Sequence, residues 1–277
     1  MHKNNVESVP DYLIEEPFEQ YRKAADGLIT SHKIMDFYKC PLLYRKRLLG
    51  LVPDGGDSES FRIGRATHSL ILEGEAVYES TYAIGGPINP ATGKPYGSDS
   101  KKFQEWAEGK PAVSYADDMR ARGMAEMVHG NAECAKLLSV GWPERVVRTA
   151  RKQIRMDWFH PTIGIVDLKT CDDIKRFERF GFWEYLYKIQ LAFYQNLMHD
   201  VTGEWFPVHV IAVQKKEPYI CCAYEVTPGT LDSGREAMFR ALDRMADCYD
   251  GDRWPTGYER KRTLDIEKHS SNTEKGR

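Results

Sequence analysis

The sequence has no strong net charge, no long apolar run, no paired cysteine spacing and no internal repeat. A formal charge of -2 over 277 residues and a pI near 6.5 exclude wholesale electrostatic coating of nucleic acid, so any such contact must come from a local basic patch. No stretch is apolar for long enough to span a bilayer, and the opening Met-His-Lys-Asn-Asn-Val-Glu-Ser lacks the apolar core of a secretion signal. The expectation is a soluble intracellular protein with no membrane partner. The six cysteines lack metal-type spacing, and adjacent Cys221 and Cys222 would face opposite sides of a strand, which argues against a disulfide framework or a zinc site and fits a reducing cytoplasm. The length suits one main domain. We place it at 28–259, after a polar arm at 1–27 containing Pro10 and Pro17, and before a polar tail at 260–277 that is expected to be disordered.

The stretch from Gln153 to Thr170 organises the rest. Two β-rich runs flank His160-Pro161-Thr162-Ile163-Gly164, whose Pro and Gly suit a turn, so a hairpin is predicted. Asp157 and Asp167 then lie roughly opposite each other. Alternation puts Asp167 and Lys169 on one face and Val166 and Leu168 on the other, with cross-strand neighbours about 5 Å apart at Cβ. Two carboxylates and an ammonium so placed call for pairing or for a cation, and a hard divalent ion takes carboxylates together with water and phosphate. An Asp157–Lys169 or Asp167–Lys169 ion pair on a solvated sheet face answers the same pattern. The hairpin alone leaves both readings open.

Upstream, Ile34, Phe37 and Tyr38, then Leu42, Leu43 and Leu48, predict two short helices broken at Pro41, with Ser31 as N-cap. The second carries the basic cluster Arg45, Lys46 and Arg47, placed either on a phosphate backbone or simply in solvent. Phe61 to Glu73 reads as a helix in which Gly64 and His68 share a face, leaving room for another backbone or a ligand beside the imidazole. Residues 86–106 begin as a Gly/Pro/Asn-rich loop, a DNA-facing flap or a plain insertion, and a helix follows around Lys101 to Gly109. Tyr115 to Leu138 is helical, and Trp142-Pro143 ends it before a strand at Arg145 to Arg148. Glu144 stands at that entrance, where it could join the carboxylates.

Downstream, Ile174 to Met198 forms one long helix or two, with Gln190 and Tyr194 four apart. Trp205 to Lys215 and Tyr219 to Val226 form a strand pair turning at Lys216-Glu217-Pro218, and Leu231 to Tyr249 is an amphipathic helix. This order predicts an α/β fold with a central mixed β-sheet flanked by helices.

Taken in sequence, Gly64-x-x-x-His68, Asp157, Asp167-Leu168-Lys169 and Gln190-x-x-x-Tyr194 resemble the PD-(D/E)xK nuclease superfamily in its RecB-like branch. Ser31 to Arg47, Gly86 to Trp106, Ile165 to Asp173 and Pro207 to Tyr219 look like the nuclease domain of exodeoxyribonuclease VIII and related phage exonucleases. The resemblance implies a restriction-endonuclease-like core with the active site on the hairpin. It implies that His68, Asp157, Asp167 and the Leu168 carbonyl bind Mg2+, with Mn2+ as a substitute, and that Lys169 positions or deprotonates the attacking water. Gln190 and Tyr194 would support Lys169 and the scissile phosphate, and Arg45, Lys46, Arg47, Arg65 and Arg155 are the candidate DNA contacts. Met156 stands where the family name has proline, and the short Arg148 to Lys152 connection leaves the register of the preceding strand open. Some relatives hold an iron–sulfur cluster; Cys40 matches its first cysteine, but Cys221, Cys222 and Cys248 lack the clustered spacing, so no cluster is expected.

The implied activity is 5′-to-3′ digestion of duplex DNA, leaving 3′ overhangs for phage-type recombination in a bacterial cytoplasm. Double-stranded DNA ends are the implied substrate, with an annealing recombinase and a homo-oligomeric ring as further candidate partners. Two alternatives stand beside it: an endonuclease or flap nuclease using the same residues, and a DNA-end-binding scaffold without catalysis.

Overall fold

The computed structural model describes residues 9–53, 59–97 and 99–261. Nearly all of the expected tail and the first residues of the arm lie outside these. The first half is mainly helical: α1 (Phe18–Ala24), α2 (Ser31–Lys39), α3 (Pro41–Leu48), α4 (Glu59–His68), α5 (Glu75–Thr81), α6 (Lys101–Ala107), α7 (Tyr115–Gly130) and α8 (Ala132–Leu137). Within it, β1 (Ala83–Ile84) and β2 (Ala112–Val113) form a two-residue parallel pair that the sequence did not suggest. The second half supplies β3 (Trp142–Arg148), β4 (Gln153–His160), β5 (Gly164–Cys171), α9 (Ile174–Arg176), α10 (Phe182–Glu184), α11 (Tyr187–Thr202), β6 (Val208–Gln214), β7 (Cys221–Glu225) and α12 (Pro228–Gly251). Among the described residues no helix is long and apolar enough to cross a membrane.

β3 to β7 form one mixed sheet in chain order, antiparallel throughout except for the parallel pair β5 and β6. The α/β fold with a helix-flanked mixed sheet is therefore the observed one. Period-2 alternation along the central strands makes two cores. Ile165, Val208, Val210 and Ala212 point to the face packed by α2, α11 and α12, whereas Val166, Leu168, Ile211 and Val213 point to the face packed by α4, α7 and α8. Buried on both sides, β5 places Asp167 at zero exposure in the middle of the sheet.

The predicted hairpin is present, joined at Pro161–Ile163. His160 Nδ1 accepts the backbone N–H groups of Thr162 and Ile163 at 3.2 and 3.1 Å, which fixes the turn. Gly164 follows at φ 106, where an added Cβ would lie 2.3 Å from the Pro207 carbonyl oxygen, so only glycine lets β5 start beside β6. The Thr149–Lys152 turn settles the register left open in sequence, closing through Thr149 N–H to the Lys152 carbonyl at 2.9 Å.

Several boundaries differ from the sequence reading for identifiable reasons. Thr30, not Ser31, caps α2, its hydroxyl accepting the Lys33 N–H, because Ser31 is already helical. Strand β3 begins at Trp142 and contains Pro143, tolerated because β3 is an edge of the sheet. Tyr115 to Leu138 is two helices, divided where the Asn131 side chain caps α8. The arm also contributes to the fold. Ile14 and Val146 exchange backbone hydrogen bonds at 2.8 and 2.9 Å, and Glu15 and Glu16 pair with Arg145 and Arg148. It covers part of the edge that β3 would otherwise present.

Candidate active site

β3 and β4 shift face together at the site. Trp142 and Val147, five apart, both join the α11-side core, as do Met156 and Phe159, three apart, which a regular strand cannot achieve. Pairing continues on either side of the shift, with Pro143 opposite Trp158 and Arg145 opposite Met156. Glu144 sits between them at φ 53, a left-handed conformation uncommon for a glutamate. Met156 is fully buried in the core, consistent with this position turning away from the acidic side chains.

The shift brings Glu144 and Asp157 to the end of α4, and donor atoms of His68, Glu144 and Asp157 all lie within 4.8 Å of one another. α4 packs closely at Gly64, where an added Cβ would lie 3.3 Å from Thr170 Oγ1. His68 Nδ1 lies 3.7 Å from Asp157 Oδ2, and the imidazole is also hydrogen-bonded to the Leu168 main chain. That same Asp157 oxygen accepts the Leu168 N–H at 2.7 Å.

On the α11 side of β5, Lys169 Nζ approaches Asp167 Oδ2 at 2.5 Å and lies 4.8 Å from the Tyr187 ring centroid. Gln190 Nε2 points to Asp167 Oδ1 at 3.5 Å and donates to the Tyr194 hydroxyl at 3.0 Å, both residues being buried on α11. Gln190 thus reaches Asp167 and Tyr194 stands behind Gln190. Tyr187 is the neighbour of Lys169 that sequence reasoning missed, although its one-turn offset from Gln190 was a readable signal. Glu144 was singled out but not assigned as a ligand, since nothing in a linear sequence announces its backbone twist.

The electrostatics of the cluster favour added positive charge. Burial pushes the Asp167 carboxyl up to about 6, Lys169 opposing and Asp157 reinforcing the rise. Burial and Asp157 push Glu144 up to about 8, against the Arg155 guanidinium 2.6 Å away. Asp157 is likewise raised by burial, while burial and Lys169 push His68 down to about 4. For Lys169 burial works against the charge, but Asp167 and Asp157 outweigh it and hold the ammonium above its usual range.

The candidate DNA contacts are differently placed. Arg45 lies over the Trp254 ring at 4.9 Å and near Asp252, and Arg47 pairs with Asp36 at 3.2 Å, so two members of that cluster are held by the fold while Lys46 is exposed. Arg155 is held between Glu144 and the Phe18 ring, 5.1 Å from its centroid. Arg65 is exposed on α4, one turn before His68.

Against known proteins, the structure aligns with the crystal structure of a Eubacterium rectale protein provisionally named an exonuclease, at TM-score 0.63 and 16% identity, covering 93% of this chain and 99% of that one. This similarity speaks for the fold. No curated protein matches the chain. A family model described as a PDDEXK-like domain of unknown function (DUF3799) matches residues 31–264. That span takes in α2 through α12 and every residue of the acidic site, and the chain belongs to this PDDEXK-like family, within the PD-(D/E)xK superfamily.

Proposed function

We propose that the chain is a metal-dependent DNA nuclease that hydrolyses phosphodiesters, digesting duplex DNA from the 5′ end and leaving a 3′ overhang. The observation that carries this reading is one charge cluster on a PDDEXK-like fold: the buried Asp167–Lys169 pair beside the His68, Glu144 and Asp157 donors. The name of the E. rectale protein favours an exonuclease over other uses of that fold.

The residues fit a hard divalent ion. One imidazole and two carboxylates converge, the donor set of a hard divalent ion that also takes water and phosphate. His68, Glu144 and Asp157 would hold the ion, with Asp167 and the Leu168 carbonyl on the β5 side. When bound, Mg2+ or Mn2+ supplies Lewis-acid stabilisation of the charge that builds on the phosphoryl oxygens. Lys169, held as an ammonium by Asp167 and Asp157, positions the attacking water and offsets that charge. Gln190 holds Asp167 from behind, and Tyr194 fixes Gln190 in turn. In this reading the exposed 3′ strand is what an annealing recombinase would take up, and a ring of copies would keep the protein on its substrate.

The test is release of acid-soluble nucleotides from 5′-labelled linear duplex and from closed circular duplex, with Mg2+ or EDTA, for the wild type and Asp167→Ala. We expect early release of labelled mononucleotide from the linear substrate only, abolished by EDTA and reduced at least about a hundredfold in Asp167→Ala. Cutting of the closed circle would instead establish an endonuclease. Equal inertness of both proteins, with DNA ends still bound, would establish a scaffold.

A further inference from the structure

We infer that the segment between Ile174 and Lys188 is a stacking platform for an unpaired DNA strand beside the catalytic cluster, an inference that rests on the nuclease reading and specifies the form of its substrate. This segment joins β5 to α11 and is irregular: α9 is followed by a π-helical turn at Phe177–Gly181, then α10, then Leu186 in a left-handed conformation at φ 60. Such interruptions are frequent at functional sites. Within it Phe180, Trp183 and Tyr185 are turned outward, at 58, 45 and 55% exposure.

Two observations point to nucleic acid as the occupant. The first is charge. The segment holds Lys175, Arg176, Arg179 and Lys188 against Glu178 and Glu184; of the acids just before it, Asp172 pairs with Lys215 and Asp173 caps α9 by accepting the Arg176 N–H. Both acids are engaged, Glu178 by the Tyr224 hydroxyl and Glu184 by Arg176. Lys175 and Arg179 are exposed and have no ion-pair partner among the described residues. Arg176, Arg179, Phe180, Trp183 and Glu184 line one open hollow of about 470 Å³, so cationic and aromatic groups share a single surface.

The second is continuity with the site. Tyr187, whose ring lies 4.8 Å from Lys169 Nζ, has Tyr185 at 5.7 Å and Phe182 at 6.2 Å between ring centroids, and Phe182 in turn has Trp183 at 5.3 Å. A row of rings therefore runs from the catalytic ammonium out to the exposed platform. Bases inside a duplex are already stacked on each other, whereas those of a separated strand have free faces, and aromatic side chains alternating with cations are the usual means of holding them.

The test is fluorescence anisotropy of labelled oligothymidylate and of blunt duplex of equal length, with the full chain in EDTA so that binding is read apart from hydrolysis. Phe180→Ala, Trp183→Ala and Tyr185→Ala are compared with Phe239→Ala, which removes an equally exposed ring on α12. Each platform variant is expected to weaken oligothymidylate binding by roughly five- to a hundredfold, with little effect on blunt duplex. Phe239→Ala should have no effect, and Trp183→Phe, which keeps a stacking face, should retain most of the binding. Arg179→Ala should lower the salt dependence by about one phosphate contact. Unchanged oligothymidylate binding in all three platform variants overturns the inference, as does an equal loss on duplex. A protein that cleaves DNA without ring-dependent binding loses only the platform; one that binds through the rings and never cleaves loses only the nuclease reading.

Discussion

Asp167 and Asp157 face Lys169 and hold its ammonium above the usual range, and in the proposed reading that charge orients the attacking water and offsets phosphoryl charge. Lys169→Ala should therefore lower the hydrolysis rate by about 10²–10³-fold, the range seen when one preorganised donor is removed. The same change leaves Asp167 buried without its cation, so urea melts in EDTA should show a larger loss of stability at pH 8 than at pH 5.5, where the acid can take a proton. Glu144 gives a separate pH signature. Its folded-state pKa is raised from 4.5 to about 8, so between these values the folded chain retains a proton that the unfolded chain has lost. Stability in EDTA should consequently fall as pH rises through that window, and Glu144→Gln should remove part of the slope. Identical slopes for the two proteins would show that Glu144 is ionised in the fold.

Helix and strand contacts carry their own expectations. α11 and α12 pack closely because Gly234 admits the backbone of Lys188: a Cβ there would stand 2.1 Å from the Lys188 carbonyl oxygen. Gly234→Ala should thus cost about 1–3 kcal/mol in urea denaturation, despite the better helix propensity of alanine. Ile14→Pro deletes the N–H that reaches the Val146 carbonyl, and a loss of about 1–2 kcal/mol is expected, with increased self-association as the β3 edge is uncovered. These elements also show what could be read in the sequence. The hairpin, the shared face of Asp167 and Lys169, and the pairing of Gln190 with Tyr194 follow from period-2 and period-3.6 spacing, which act within a few residues. The bridge from Ile14 to Val146, the left-handed backbone of Glu144 and the strand containing Pro143 depend on contacts between distant segments, and local spacing carries no record of them.

For the molecule as a whole, the fit of the site to a divalent ion predicts that Mg2+ or Mn2+ raises the melting temperature. The gain should approach about 2.7 kcal/mol at a hundredfold excess over Kd, with little or none in Asp157→Asn. No shift with either ion in the wild type would mean that the donor cluster does not bind metal. The fold also sets when the site can exist. His68 reaches it from the layer of α4, α7 and α8, whereas Gln190 comes from the opposite layer, and β5 between them is held on one side by β6, a strand made some forty residues later. During translation, a chain that has emerged only as far as α11 has all the acidic residues but lacks one support of the strand that carries two of the active groups. On the proposed nuclease reading, competence arrives late in synthesis: chains arrested on the ribosome before Gln214 emerges should not hydrolyse DNA, whereas released full-length chains should.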